Sequence, residues 1–100
     1  MSEQTDALIQ TITKYAQVIL PRHVTCDARA RTSTYGILML EITFKSRFPN
    51  TSEDLMLREQ HHLDHFVFNG EINDKRVIDF ITRELQRLVL GWDERQKSNG

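Results

Sequence analysis

The sequence predicts a small two-layer α+β domain, in which an antiparallel three-stranded sheet packs on an N-terminal and a C-terminal helix. Apolar residues recur every three or four positions near both ends of the chain, whereas between the ends they alternate with polar residues. The element order that follows is α-β-β-(α)-β-α, where the helix in parentheses has the weakest pattern. We expect one domain over residues 1–92 and a polar, frayed tail over residues 93–100.

The first predicted element is a helix from about Thr5 to Leu20. Ser2 or Thr5 can cap its first turn, and Pro21 prevents its continuation. Its apolar positions fall on one side of a helix: Leu8, Ile9, Ile12, Tyr15, Ala16 and Ile19.

Residues 23–32 and 37–45 alternate in polarity and predict a β-hairpin. A three-residue loop would place Asp27 opposite Glu41, whereas a five-residue loop over residues 33–37 places Arg29 there. Because opposite charges across a strand pair are favourable, we predict the longer loop, with Asp27 opposite Thr43.

The middle of the chain has mixed signals. A loop at 47–50 and cap residues near Ser52 predict a short helix over about 52–60. A third strand is then predicted over about 62–68, ending at an Asn69-Gly70 turn. Whether residues 52–68 form one helix or a helix and a strand stays open at this point.

The last predicted element is a helix from Asn73 or Asp74 to about Leu90, with Gly91 at its end. Phe80 and Leu90 fall outside its main apolar stripe. The stripe comprises Val77, Ile78, Ile81, Leu85, Leu88, Val89 and Trp92.

Charge along the chain is polarised although its total is small. The 100 residues carry 13 Lys plus Arg and 14 Asp plus Glu, a formal net charge of −1. This excludes a strongly basic nucleic-acid-binding protein and a strongly acidic tail. Residues 22–47, however, carry an excess of three positive charges, and residues 48–74 an excess of five negative charges. Adjacent blocks of opposite sign indicate either pairing within the domain or a polarised docking surface.

The longest apolar run, residues 36–40, is too short to cross a membrane, and the first residues lack the pattern of a secretory signal. A single cysteine, Cys26, excludes an internal disulfide and suits a reducing compartment. We therefore expect a cytoplasmic protein with no membrane partner.

Catalytic motifs are missing from the sequence, since it contains no P-loop, no G-x-S-x-G, no H-E-x-x-H and no C-x-x-C. Cys26 shares the inward strand pattern with apolar residues and is expected to act as a small hydrophobe. We therefore predict a protein that is not an enzyme and has no catalytic residues.

The segment His61-His62-Leu63-Asp64-His65 is the most specific local motif. On a helix, His61, Asp64 and His65 would converge enough to hold a divalent metal ion. On a strand these side chains would separate and act as surface histidines. A metal at this cluster is a minority hypothesis, and otherwise no cofactor is expected.

The outer side of the hairpin carries the candidate partner site. Ile37 and Met39 lie opposite the inward apolar residues of the second strand, so this part of the sheet is apolar on both sides. Segment 48–60 could cover the outer side, or a partner could. The proposed partner-binding residues are Arg29, Arg31, Ile37, Met39 and Lys45.

Together these features predict a small protein-binding module that acts through a sheet face, as a regulator, inhibitor or assembly factor, and forms a homodimer. One alternative is nucleic-acid binding by the basic hairpin face, because the helix-sheet-helix order resembles the outline of a double-stranded-RNA-binding domain. The final helix lacks the basic, glycine-bearing start of that family, since it opens on Asp74. A second alternative is metal binding by the histidine cluster.

Overall fold

A computed structural model describes residues 3–47 and 54–99 and has the predicted α+β architecture. An antiparallel sheet in the order β1-β2-β3 lies between N- and C-terminal helices in sequence, and β4 and β5 form a separate small hairpin. The elements are α1 (Glu3–Ile19), β1 (Val24–Thr32), β2 (Leu38–Arg47), β3 (Asp54–His62), a 3₁₀ turn (Leu63–His65), β4 (Val67–Phe68), β5 (Glu71–Ile72) and α2 (Asp74–Asn99).

Helix α1 matches its prediction and buries the expected side. Leu8, Ile12 and Ala16 lie in the core, spaced by four residues along one stripe of the helix. Thr5 is also buried, one turn before Leu8. The helix ends at Ile19, two residues before Pro21.

The β1–β2 hairpin has the register that the charge argument predicts. Arg29 lies opposite Glu41 and Asp27 opposite Thr43. In the five-residue loop, the Ser33 backbone nitrogen donates to the Ile37 carbonyl oxygen at 2.8 Å, and Gly36 has a φ of +80°. A residue with a Cβ adopts that φ only at a cost, so glycine suits this turn.

The prediction of a helix over residues 52–60 is wrong, because residues 54–62 form strand β3, paired along its whole length with β2. Residues 52 and 53 lie outside the described residues. The predicted strand over 62–68 is also wrong, since a 3₁₀ turn covers residues 63–65 and only residues 67–68 are extended. A ladder of backbone hydrogen bonds with β2 along residues 54–62 outweighs the local preference of this segment for a helix.

The turn at Asn69-Gly70 is confirmed and joins β4 to β5. Asn69 and Gly70 have φ values of +54° and +79°. Two successive left-handed residues suit the turn of a tight two-residue hairpin, which favours the Asn-Gly pair.

Helix α2 begins as predicted and runs beyond its predicted end. The Asn73 side-chain oxygen accepts a hydrogen bond from the Arg76 backbone nitrogen at 3.1 Å, so Asn73 is the N-cap. The helix does not end at Gly91 but continues to Asn99. A Cβ at Gly91 would lie 2.9 Å from Leu55 Cδ2, so this glycine lets the helix approach β3 closely.

The core lies between the inner side of the sheet and the two helices. Phe80, predicted to lie off the apolar stripe of α2, is only 6% exposed, whereas Leu90 is 61% exposed as expected. The buried apolar residues are Leu8, Ile12, Ala16, Val24, Leu40, Ile42, Phe44, Phe66, Val77, Phe80, Ile81 and Leu88. Neither helix, over the residues described, combines the length and apolar character needed to span a membrane.

Candidate interaction surface

The side of the sheet turned away from the helices is exposed and mostly polar. Strand residues alternate between the two sides, and the two registers align these alternations across all three strands. We call this side the open face. Its side chains are Thr25, Asp27, Arg29 and Arg31 of β1, Met39, Glu41, Thr43 and Lys45 of β2, and Met56, Arg58, Gln60 and His62 of β3.

Glu41 lies at the centre of the open face and organises its cations. Its side chain is only 11% exposed, and its Oε2 accepts a hydrogen bond from Arg31 Nη1 at 2.8 Å. Arg58 Nε lies 3.9 Å from Glu41 Oε1, on the other side of the same carboxylate. The buried carboxylate thus restrains two guanidinium groups that remain more than half exposed.

Another exposed ion pair lies within β1, where Arg29 Nε is 2.7 Å from Asp27 Oδ2. Four cations (Arg29, Arg31, Lys45, Arg58) and two anions (Asp27, Glu41) leave the described side chains of the open face with two excess positive charges. Restrained arginines lose less conformational freedom on binding than free ones do. The open face therefore has both the charge and the order that suit an acidic partner surface.

The open face is shallowly contoured. One depression of about 240 Å³ lies between Asp27, Lys45 and Arg58, over Glu41 and Thr43. Another, of about 590 Å³, lies beside the hairpin loop and is lined by Arg31, Met39, Gln60 and neighbouring residues of the loop. Broad, shallow depressions suit a protein surface better than an enclosed small molecule.

The structure brings together four of the five predicted partner-binding residues. Arg29, Arg31, Met39 and Lys45 all lie on the open face, and Met39 is half-buried beside Arg31. Ile37 is separate from them, because it precedes β2 in the hairpin loop, where it is 47% exposed.

The third strand contributes side chains to this surface that the sequence does not predict. The predicted helix over about 52–60 contains Met56, Arg58 and Gln60, and the predicted strand over about 62–68 begins at His62. Local sequence carries no signal for this, because Leu55, Met56 and Leu57 are consecutive apolar residues and the five residues after them are all polar. The alternation of exposed and partly buried residues appears only in the folded strand.

The hypothesis that segment 48–60 covers the second side of the sheet is not supported for its described part. Residues 54–60 extend the sheet as β3 instead of lying across it. Met56 remains 47% exposed, and Arg29, Arg31 and Lys45 are also exposed. Residues 48–53 lie outside the described part of the chain.

His61 and His65 of the histidine cluster lie at the junction of β3 and α2, on the inner side of the sheet, whereas His62 lies on the open face. The rings of His61 and His65 stack with their centroids 5.1 Å apart, and both rings pack edge-on against Phe66 and Phe80. Partial burial, together with the charges of His61, Arg76 and Arg83, lowers the pKa of His65. His65 is therefore held in its neutral form, in which it packs as an aromatic ring.

The metal hypothesis for His61, Asp64 and His65 is not supported by their arrangement. Among residues 3–47 and 54–99, no group of three or more His, Cys, Asp or Glu side chains is placed to hold a metal ion. His61 instead pairs with a carboxylate on its own strand, Glu59, at 3.0 Å.

Two carboxylates and an arginine connect this cluster to α2. Arg87 hydrogen-bonds both Glu59 of β3 and Glu84 of its own helix. Partial burial opposes ionisation of Glu59, but hydrogen bonds from Arg87 and His61 outweigh it and lower the pKa of this carboxyl. Burial and the neighbouring Glu59 charge raise the pKa of Glu84. These groups are engaged with one another across a packed junction, which indicates a structural role.

Cys26 lies on the inner side of β1, half-buried. Burial, assisted by the Asp27 charge, raises the pKa of its thiol to about 12. The thiol is therefore protonated at neutral pH and is a poor nucleophile.

Comparisons with known proteins give no further guide to this surface. No protein-family model matches the sequence, and no curated protein or solved structure matches it significantly.

Proposed function

We propose that this protein is a small non-enzymatic binding module whose open face docks an acidic surface of a partner protein. As such it would serve as a regulator, an inhibitor or an assembly factor, in the cytoplasm. The single thiol of Cys26 suits that reducing compartment. The observation that carries the proposal is a three-stranded face with restrained arginines and exposed methionine around the nearly buried Glu41.

The composition of the open face supports a protein partner. Arginine and methionine are enriched at protein interfaces, whereas lysine is depleted, and the face has three arginines and two methionines against one lysine. Methionine also adapts its shape to irregular partner surfaces. The two excess positive charges favour an acidic partner through electrostatic complementarity.

Nucleic acid fits the open face less well. Proteins that bind single strands provide aromatic platforms for base stacking, but none of the side chains that form the open face is Phe, Tyr or Trp. The carboxylates of Asp27 and Glu41 also interrupt the cations and would repel a continuous phosphate backbone. We therefore favour protein, and nucleic-acid binding becomes one outcome of the test.

The test compares affinity capture from the native host by three forms of the chain, with mass spectrometry to identify partners. The face variant Met39→Asp/Met56→Glu removes both methionines and cancels the excess charge. Each new carboxylate lies opposite a cation, Arg31 or Lys45, so folding should be retained. The matched control, Val18→Asp/Leu90→Glu, makes the same change at positions that are 80% and 61% exposed on the helices.

We expect the wild type and the control to capture acidic proteins. The amount of these proteins recovered with the face variant should be at least tenfold lower. Equal capture by all three forms would contradict the proposal. Titration of the wild type with a 20-nucleotide single strand and with a duplex tests the alternative that the partner is a nucleic acid. Binding that weakens steeply with salt and is absent in the face variant would assign the surface to nucleic acid instead.

A further inference from the structure

The outer edge of β1 is an open strand edge. In the described part of the chain, the sheet has the order β1-β2-β3, so no strand pairs with the far side of β1. The strand is nine residues long and contains no proline and no lysine. Proteins usually blunt such edges with those residues, because unpaired backbone groups attract another strand.

The register shows which backbone groups of β1 are available. Ser33 donates its N–H to the carbonyl of Ile37, so these two form a hydrogen-bonded pair at the end of the β1–β2 ladder. Hydrogen-bonded pairs recur at every second residue, so the odd-numbered residues of β1 bond to β2. The even-numbered residues Cys26, Ala28 and Ala30 therefore direct their N–H and C=O groups to the open edge.

We propose that two copies of this chain pair edge to edge through β1, antiparallel, about a two-fold axis at Ala28. In this register Ala28 pairs with Ala28 of the second copy, and Cys26 pairs with Ala30. Each of these pairs exchanges two backbone hydrogen bonds through the N–H and C=O groups that point to the open edge. The result is one continuous six-stranded sheet.

Charge selects this register over its neighbours. With the axis at Ala28, Asp27 of each copy lies opposite Arg29 of the other, at non-hydrogen-bonded positions where side chains are closest. Moving the axis to Asp27 would set two aspartates face to face, and moving it to Arg29 would set two arginines face to face. Asp27 and Arg29 already pair at 2.7 Å within one strand, so two copies would join these pairs into an alternating ring of four charges.

The inner side of the edge has room for a second strand. The residues that would face it, Cys26, Ala28 and Ala30, are small and only half-buried in the monomer. A cleft of about 210 Å³ lies between α1 and this edge, lined by Ala16, Leu20 and Cys26 among others. In the proposed dimer, Ala30 of the second copy would lie beside Cys26 at this cleft. Its small side chain would be enough to cover the apolar surface there.

In the described part of the chain, the outer edge of β3 is also open. Pairing of two β3 strands at their central residue would oppose two Arg58 side chains and place Leu57 opposite Glu59, whereas pairing of two β1 strands at their central residue sets Asp27 opposite Arg29. The geometry therefore points to β1 as the edge that joins two copies.

Analytical ultracentrifugation of the full chain at tens of micromolar tests the proposal. We expect twice the 11.7 kDa mass of one chain. Ala28→Pro removes an N–H that β2 does not use, and proline is tolerated at strand edges, so this variant should fold and sediment as a monomer. Ala28→Ser keeps the N–H and is the matched control, expected to remain a dimer.

Should Ala28→Pro fail to fold, Asp27→Arg serves in its place, because it sets arginine against arginine across the axis. Asp64→Arg makes the same charge change at an exposed site away from β1 and should remain a dimer. Amide exchange by NMR gives a second measurement. In the wild type the Cys26 and Ala30 amides should be protected from hydrogen exchange. In Asp27→Arg their protection factors should be at least tenfold lower.

A wild-type chain that sediments as a monomer at tens of micromolar would overturn the proposal, as would a dimer that Ala28→Pro or Asp27→Arg leaves intact. Its failure is distinguishable from failure of the proposed function. The face variant Met39→Asp/Met56→Glu changes no residue of β1, so it should lose the partner and keep the dimer.

Discussion

Glu84 places a carboxylate in the junction between α2 and β3, where the residue is only 3% exposed. Burial and the nearby Glu59 carboxylate raise its pKa, and the hydrogen bonds from Arg87 do not fully compensate. A folded-state pKa above the unfolded value means that the ionised group opposes folding. The penalty is fully present above the folded pKa and disappears as the pH falls below the unfolded value.

We therefore expect Glu84→Gln to raise the melting temperature at pH 7 by a few degrees. The difference from wild type should shrink as the pH falls through the carboxyl range, and it should vanish below the unfolded pKa, where the Glu84 carboxyl is neutral in both the folded and the unfolded state. Thermal melts between pH 4 and pH 8 measure this. Asp64→Asn, at an exposed carboxylate, is the control with no expected change, and a lower melting temperature for Glu84→Gln at pH 7 would contradict the argument.

Gly70 provides a residue-scale test of backbone conformation alone. Its φ is +79°, and a Cβ added there would meet nothing within 4 Å. Any loss of stability in Gly70→Ala therefore arises from the left-handed backbone, which costs roughly 1–2 kcal/mol for a residue with a Cβ. Urea denaturation should show that Gly70→Ala lowers the free energy of unfolding by about 1 kcal/mol and leaves its dependence on urea concentration unchanged. Equal stability of the variant and the wild type would show that the turn relaxes to another backbone conformation.

At the scale of elements, α2 shows how a helix chooses its buried side. Sequence periodicity predicts that both Phe80 and Leu90 lie off the apolar stripe, but of these two residues Phe80 packs against aromatic partners. Its ring lies edge-on to Phe66 with centroids 5.3 Å apart, and tilted to Phe44 at 5.8 Å. The aromatic cluster around the 3₁₀ turn thus widens the buried stripe of the helix on one side.

Truncation at these two positions should have opposite consequences. Phe80→Ala leaves a cavity among buried rings and should cost about 3–5 kcal/mol. Leu90→Ala shortens a side chain that is 61% exposed and should change stability by less than about 0.5 kcal/mol. Chemical denaturation of both variants checks this, and equal losses would mean that the two residues are equally buried in solution.

Strand β3 is the element whose type could not be predicted from local sequence. Ser52 and the acidic residues after it suit a helix start, and Leu55 to His62 can be placed on either a helix or a strand. In the fold, Leu57 lies opposite Phe44 and Arg58 opposite Thr43. Pairing with β2 satisfies the backbone groups along one edge of the segment and buries one of its sides, a benefit that no window of local sequence contains.

At the scale of the whole molecule, the two proposed contacts use different parts of the same sheet. The open face would bind a partner through side chains, and the β1 edge would join two copies through backbone hydrogen bonds. Edge pairing leaves both open faces on one side of a six-stranded sheet, which would double the basic surface. A dimer could then bind a repeated or two-fold acidic partner with a gain in avidity.

The polarised charge of the sequence has a partial explanation in the fold. Within the basic block, Arg31 pairs with Glu41 of the same block, and Arg29 with Asp27. Across blocks, Arg58 approaches Glu41, and Arg87 of the last helix bonds Glu59 of the acidic block. Both pairing within the domain and an exposed basic surface are therefore present, which the sequence alone left as alternatives.

Local sequence is enough to predict the two terminal helices, the β1–β2 hairpin and its register, and the Asn69-Gly70 turn. Each depends on residues close in the chain: periodicity over a few turns, a charge pair across one loop, or glycine at a positive φ. The tertiary structure decided the strand nature of residues 54–62, the burial of Phe80 and the continuation of α2 past Gly91. These depend on contacts between residues far apart in the chain, such as Gly91 against Leu55, where packing energy outweighs local preference.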